Sequence, residues 1–414
     1  MADIYVYVVV EKMDELNLVY LGVVNCFYIC LFIYTLVFQS KLFMLIVFSG
    51  NTSWSMYNFR LGLMQNFIHF GYDVCVVAPE DEYTEKITEA GIRFIPVTKL
   101  KRSGNNPVQD FNLCREYIKI YKALQPAFIF HYTIKPNIYG TFAAKICNIK
   151  SISITTGLGN AFSSKGALFY FAKYLYKVSS SYAVEVWFLN SSDKDMFINN
   201  KIIPEHKSFI LPGEGVDTTL FKPPLVYPEN ENTVFLLISR MLYDKGIEIF
   251  VQASRFLINK GYTVSSLLLG QIDKDNPEAI SIDKIEEWQK DGTIKYLGAT
   301  PDVKPFIENV HAVVLPSFYK EGIPKVLLEA ACMEKPIITT RSPGCMEVVD
   351  DGVNGYLCAI KNVHDLAEKM EKFIHLSLEE KIKMGIAGRK KILENFDEKI
   401  VIDIYKRKCD QYAG

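Results

Sequence analysis

No two of the nine cysteines in this chain are spaced CxxC. An odd number of scattered cysteines, mostly in apolar runs, excludes a disulfide scaffold. It fits buried thiols in a reducing compartment. The six histidines form no cluster with metal-ligand spacing, so no protein-built metal site is expected. No GxGxxG follows the first expected strand, which removes the dinucleotide fingerprint from that position. No low-complexity tract or internal sequence repeat is visible. The net charge of −1 and the lack of a nucleic-acid motif exclude nucleic acid as the expected partner.

What the chain does have is apolar content, 49% over 414 residues, enough for two domains. Its charge is uneven. Residues 1–43 carry −2, residues 44–217 carry +4, and residues 218–414 carry −3. A mildly basic first half beside an acidic second half points the former toward something anionic. Residues 16–38, LNLVYLGVVNCFYICLFIYTLVF, contain no charge. That run is long enough to cross a bilayer, and it lacks the basic start and small-residue cleavage site of a signal peptide. Asp14 and Glu15 before it and Lys41 after it would leave the following domain in the cytoplasm. Two readings stand side by side: residues 1–43 are a membrane anchor, or they precede the true start, with Met44 as the first residue. Both leave the rest of the chain on the cytoplasmic side.

From residue 42 onward, apolar strands alternate with helical patterns. Strands are expected at 42–48, 72–77, 93–97, 127–131, 151–155, 184–189 and 208–211. Helices are expected at 61–70 and 82–90. Residues 218–232, TTLFKPPLVYPENEN, carry Pro and polar residues without periodicity and mark a linker. The alternation then restarts, with strands at 233–238, 265–269, 294–296, 312–315 and 336–340. Helices are expected at 366–375, 378–395 and 398–411. This pattern predicts an α/β protein of two Rossmann-like, doubly wound domains facing a central cleft. The expected units are an N-terminal segment at 1–43, a first domain at 44–217, a second at 218–392, and a C-terminal helix at 393–414.

The chemistry concentrates in residues 316–329, PSFYKEGIPKVLLE. The apolar run VHAVVLPS reads as a buried strand entering a loop, and KVLLEAACM reads as the helix that comes next. Glu321 then falls on the loop at the strand's carboxyl end, and Glu329 about two turns along the helix. Ligands of open α/β sheets bind at that edge, and a helix N-terminus offers free N–H groups and positive dipole to a phosphate. Two carboxylates beside a phosphate cradle suit a ligand with both hydroxyls and phosphates, such as a nucleotide sugar. ISRMLYDKG, at 238–246, brings Arg240 and Lys245 to the mouth of the same domain, where two cations can neutralise a departing diphosphate. Gly298, in KYLGATPDV, ends a further strand and permits close backbone approach. In the first domain, GNTSWSMYNFR at 50–60 reads as a small and polar loop beginning Gly50-Asn51, with Trp54 and Tyr57 as wall or core residues. FHYTIKPNIYG places His131, Lys135 and Asn137 at a strand's carboxyl end. Gly157 and Gly159 of TGLGNAF form a second glycine loop.

The 316–329 segment is similar to the donor-binding signature of the retaining glycosyltransferases of family four. From residue 42 to the C-terminus the chain resembles the bacterial subgroup that extends polyprenyl-diphosphate-linked oligosaccharides. PEDEYTEKI and YLGATPDV…LPSFYKEGIPKVLLEA carry that likeness. The resemblance implies that Glu321 contacts donor-sugar hydroxyls and that Glu329 holds the ribose. It assigns the donor diphosphate to Arg240 and Lys245. It places Gly298 beside the base and Gly322, Ile323, Pro324 and Leu328 around the donor. A residue of the His131 loop would reach the sugar. Gly50, Asn51, Lys135, Gly157, Gly159 and Arg102 would face the acceptor, and the last helix would cross back onto the first domain. Glu214, in LPGEGVD, replaces the small residue more usual there.

The resemblance implies transfer of a hexose or N-acetylhexosamine from a nucleoside diphosphate sugar, UDP being favoured, to a polyprenyl-diphosphate-linked saccharide. Configuration would be retained, without metal or other cofactor, at a membrane surface. Residues 163–180 mix Phe169, Tyr170 and Tyr174 with Lys165, Lys173 and Lys177, a face for anionic headgroups or an ordinary domain helix. Two other classes remain open: a nucleotide-sugar 2-epimerase on the same scaffold, and an inactive membrane-associated assembly partner.

Overall fold

The structure, a computed structural model, describes residues 44–101, 106–158, 167–228, 232–273, Asn276, 278–319 and 322–413. The apolar segment at 16–38 and residues Arg102, Gly159, Lys165 and Glu321 lie outside the described residues. Two wholly parallel sheets form the two halves. The first contains β1 (Leu45–Ser49), β2 (Asp73–Ala78), β3 (Arg93–Pro96), β4 (Phe128–Tyr132), β5 (Lys150–Thr155), β6 (Glu185–Phe188) and β7 (Ser208–Ile210). Its order is β3-β2-β1-β4-β5-β6-β7. The second contains β8 (Thr233–Ile238), β9 (Val264–Leu269), β10 (Lys295–Tyr296), β11 (Ala312–Leu315), β12 (Ile337–Thr340) and β13 (Gly355–Cys358). Its order is β10-β9-β8-β11-β12-β13. Each order reverses once, between β1 and β4 and between β8 and β11, and each reversal opens a crevice at the strands' carboxyl ends.

The apolar runs are explained by burial on both faces. All five residues of β1 are buried. Ile46 and Phe48 feed one core, while Leu45 and Val47 feed the opposite one. The helices that shape the site are α1 (Ser53–His69), α2 (Pro107–Leu124), α3 (Ala167–Tyr182), α4 (Ile247–Asn259), α5 (Lys325–Cys332) and α6 (Glu398–Ala413).

Of the elements that differ from the sequence expectations, three are instructive. The loop expected over 50–60 shrinks to its first residues, because Thr52 caps α1 by accepting the Ser55 N–H at 3.1 Å. Its aromatic residues obscured the helical period there. Helix α2 was not expected, although Asn106 caps it, Pro107 opens it and Gln125 ends it in a left-handed conformation. Strand β13 is four residues long and was also missed.

Helix α6 packs on the first sheet although it comes after the second in sequence. Tyr405 is fully buried there, 4.9 Å from the Trp187 ring and 5.0 Å from the Phe130 ring. Its hydroxyl accepts from Tyr132 at 3.0 Å. Where the chain crosses between halves, the two passes lie side by side. The Val216 N–H donates to the Phe396 carbonyl and the Glu398 N–H to the Val216 carbonyl, both at 3.0 Å. Replacing Tyr405 with Ala should cost about 3–5 kcal/mol, because it empties a large buried site. Tyr405→Phe should cost only about 1 kcal/mol, the net worth of one hydrogen bond. Urea unfolding tracked by tryptophan fluorescence, to which Trp187 beside Tyr405 contributes, reads both.

Candidate active site in the interdomain cleft

On the second domain, β8 and β11 end side by side at the reversal point, and the loops leaving them lock together. The Asp244 carbonyl accepts the N–H groups of Phe318 at 2.9 Å and Tyr319 at 3.1 Å. Gly246 turns with φ +76, and a side chain there would meet the Pro316 carbonyl at 2.1 Å. This docking brings Arg240 and Lys245 to the segment that leads into Glu321. The Arg240 guanidinium is 38% exposed and pairs with Asp273 at 3.2 Å. The Lys245 ammonium stands over the Tyr319 ring, 5.2 Å from its centroid. Asp273, which aims Arg240, was not singled out from sequence.

Beyond Glu321, the turn presses against the first domain. Gly322 is buried, and a side chain on it would meet the Thr156 carbonyl at 2.8 Å and Leu189 at 2.6 Å. Ile323 lies against Gly213. Pro324 gives α5 no side-chain cap, and a helix start without one can offer its first N–H groups to an anion. Glu329 is half-buried on α5. Burial pushes its carboxyl above the usual range, and Lys325 one turn back pulls it down. Leu328 is 1% exposed and belongs to the core under α5. Its side chain is therefore withdrawn from the expected donor contacts, since helical spacing turns it with Leu327 and Ala331 onto the strands.

The turn at Gly298 closes against the loop after β9. Gly298 adopts φ +77 with open space at its Cβ position, and its carbonyl accepts the Gly270 N–H at 2.7 Å. Gly270 was missed, yet any side chain there would collide with the Ser239 carbonyl.

On the first domain, Gly50 and Asn51 lead from β1 into the Thr52 cap, and Gly157 comes after β5 with φ +134. Thr133 ends β4 at φ +70, rare for a β-branched residue, and its buried hydroxyl has no partner. His131 is a correction. It is fully buried, with Nε2 3.0 Å from the Tyr121 hydroxyl and Nδ1 3.3 Å from the Thr141 hydroxyl. Strand alternation turns its ring into the helix layer, away from the cleft. Lys135 is a second correction. Its ammonium pairs with Asp110 of α2 at 3.0 Å, so its charge is committed within the domain.

Two residues that sequence reasoning left aside or missed stand at the junction, Glu214 paired within the first domain and Lys325 reaching across the cleft. Glu214 is buried and paired with the buried guanidinium of Arg60, which also stacks 4.0 Å from the centre of the Tyr132 ring. Lys325, directly after the EGIP turn, crosses the cleft and donates to the Asn58 carbonyl at 2.8 Å. Its charge acts on Glu214, Glu329 and Glu398, whose carboxyls burial otherwise raises.

Residues 221–391 match the family described as glycosyl transferases group 1, and residues 45–190 match the glycosyl transferase 4-like family. Each half of the chain thus carries a glycosyltransferase domain, and the fold is of the GT-B type, two Rossmann-like domains. It is 29% identical over 387 residues to the N,N'-diacetylbacillosaminyl-diphospho-undecaprenol alpha-1,3-N-acetylgalactosaminyltransferase of Campylobacter jejuni, covering 89% of this chain and 99% of that one. It is 28% identical over 306 residues to the capsular polysaccharide biosynthesis glycosyltransferase CapM of Staphylococcus aureus, covering 70% of this chain and 78% of that one. The fold matches Anabaena HepE, solved in complex with UDP, with a TM-score of 0.72 at 16% identity, over 89% of this chain and 100% of that one.

Burial lowers the His131 pKa from 6.5 to about 3. Below pH 6.5 the unfolded chain binds a proton that the folded chain refuses. Stability present at neutral pH is therefore lost as pH falls through that window, by about 1.4 kcal/mol per pH unit at the steepest. His131→Gln should flatten that acid slope in urea titrations and keep turnover at pH 7. Lost turnover in the folded variant would return His131 to the catalytic group.

Proposed function

We propose that this glycosyltransferase moves a hexose or N-acetylhexosamine from a UDP-sugar to a polyprenyl-diphosphate-linked saccharide, with retention of configuration. The observation that carries this reading is the locked pair of loops that sets Arg240 and Lys245 beside the segment leading to Glu321 and Glu329. The acceptor class rests on the Campylobacter jejuni relative, and UDP on the Anabaena complex. In this reading Arg240, Lys245 and the first turn of α5 stabilise the departing diphosphate. Glu321 orients the sugar ring and Glu329 holds the ribose. The acceptor hydroxyl attacks the face that the leaving group vacates, and its proton passes to a donor phosphate oxygen. The nucleotide sugar is then a substrate, and neither metal nor other cofactor enters.

The same reading puts the enzyme at the cytoplasmic face of the inner membrane. Among the described residues no helix is long and apolar enough to cross a membrane. A surface contact is supported by α3, where Tyr170, Phe171 and Tyr174 are exposed by 69%, 50% and 64%. Beside them a groove of about 270 Å³ runs between Phe111, Phe142, Phe171 and Leu175. Lys177 is exposed on the same helix, while Lys173 holds Asn200 at 3.2 Å. The epimerase reading is not favoured, since the relatives are named as transferases.

The test is a donor screen. The protein is incubated with a polyprenyl-diphosphate monosaccharide and a panel of UDP- and GDP-sugars, and lipid products are read by mass spectrometry. One added hexose or N-acetylhexosamine from a UDP-sugar is expected. Epimerised or hydrolysed donor without transfer would overturn the proposal. Arg240→Ala should lower kcat about 10²–10³-fold, the usual loss of one charge-stabilising donor. Glu321→Ala with unchanged turnover would sink its assignment.

A further inference from the structure

Of the three tryptophans, Trp187 and Trp288 are buried, at 0% and 5% exposure, while Trp54 is 38% exposed. Trp54 therefore keeps part of a large aromatic face in solvent. Trp54 is also held in place. Its backbone N–H donates to Asp81 Oδ2 at 2.8 Å, and its carbonyl accepts the Asn58 side-chain amide at 2.9 Å. The other Asp81 oxygen takes the Tyr83 N–H at 2.9 Å, so Asp81 ties the β2 loop to the start of α1. The indole is braced edge-on by Phe59, with ring centroids 5.2 Å apart and planes at 88°.

The position is equally specific. Trp54 lies five residues after β1, at the carboxyl edge of the first sheet and beside the reversal point between β1 and β4. Phe59, which braces it, meets the Lys325 ammonium 5.7 Å from its ring centre. Lys325 in turn begins α5, the helix of Glu329. The indole therefore stands one aromatic ring away from the donor helix, on the opposite domain.

We propose that Trp54, braced by Phe59, is the platform on which the acceptor's terminal pyranose ring stacks. This deepens the transferase reading and rests on it. A pyranose presents a face of C–H groups that packs on an aromatic ring, while its rim hydroxyls stay free for polar partners. The Lys325 ammonium, which stands over the Phe59 ring and donates to the Asn58 carbonyl, carries further N–H groups that can serve that rim. A fixed, exposed aromatic face selects for a ring and leaves hydroxyl configuration to the surrounding loops. Its substrate class is thus a hexose or N-acetylhexosamine at the non-reducing end of the acceptor.

Two readouts on the full-length protein test this. In the first, iodide quenching of tryptophan fluorescence reports mainly Trp54, because the other two indoles are buried. A panel of methyl hexosides and methyl N-acetylhexosaminides, and a polyprenyl-diphosphate-linked N-acetylhexosamine, should include at least one compound that shields it. In the second, steady-state transfer to that same lipid-linked acceptor is compared for Trp54→Ala and Trp54→Phe. The Ala variant should raise acceptor KM about tenfold, the loss of one stacking contact, with kcat and donor KM little changed. Phe should restore most of the affinity. Shielding without any transfer would leave the platform standing and remove the transferase reading. Active transfer with an unshielded Trp54, or with an acceptor KM that Ala does not move, would overturn the platform and leave the transferase reading intact. Equal losses in Ala and Phe would also overturn it, since stacking tolerates any aromatic ring.

Discussion

The Lys325 ammonium is the contact on which the cleft depends. It starts α5 on one domain and donates to the Asn58 carbonyl on the other. Burial raises three carboxyls around it, Glu214, Glu329 and Glu398, and its charge pulls each of them back down. Because Lys325 is also the first residue of α5, the contact fixes that helix's N-terminus against the first domain. The turn before it, Gly322 and Ile323, then seats on Leu189, Thr156 and Gly213. The two domains are thus held together at the cleft by the residue directly after the EGIP turn.

The second constraint is backbone proximity at the mouth of the second domain. Gly246 lies against the Pro316 carbonyl and Gly270 against the Ser239 carbonyl. These contacts leave no room for a Cβ, and they bring the loops from β8, β9 and β11 to one place. The cations Arg240 and Lys245 are carried there by those loops and steadied by Asp273 and Tyr319. Helix α6 supplies the complementary tie, since Tyr405 and Cys409 enter the core of the first domain after the chain has completed the second.

The α/β alternation, the two parallel sheets and the strands lining the reversal points were legible, because strands buried on both faces read as continuous apolar runs. So were the strand end that leads to Arg240 and Lys245 and the helix that starts at Lys325. The start of α1 was not legible, since Trp54, Tyr57 and Phe59 blur its period, although Thr52 is an ordinary cap. His131 and Lys135 were placed on the right loop and the wrong face. A strand's alternation gives two sides, and only packing against Tyr121 and Thr141 says which side is covered.

The order of elements, the core-facing strands and the local turns were decided by the sequence alone, because propensity and burial act over a few residues at a time. The pairing of Arg60 with Glu214, the reach of Lys325 across the cleft and the exposure of Trp54 were decided by tertiary structure. Arg60 and Glu214 are 154 positions apart in the chain, and Asn58 and Lys325 are 267 apart. No local pattern carries information over such separations. The first contact closes only when the first domain folds as a whole, and the second only when the two halves meet, the chain crossing between them twice at Val216 and Asp397.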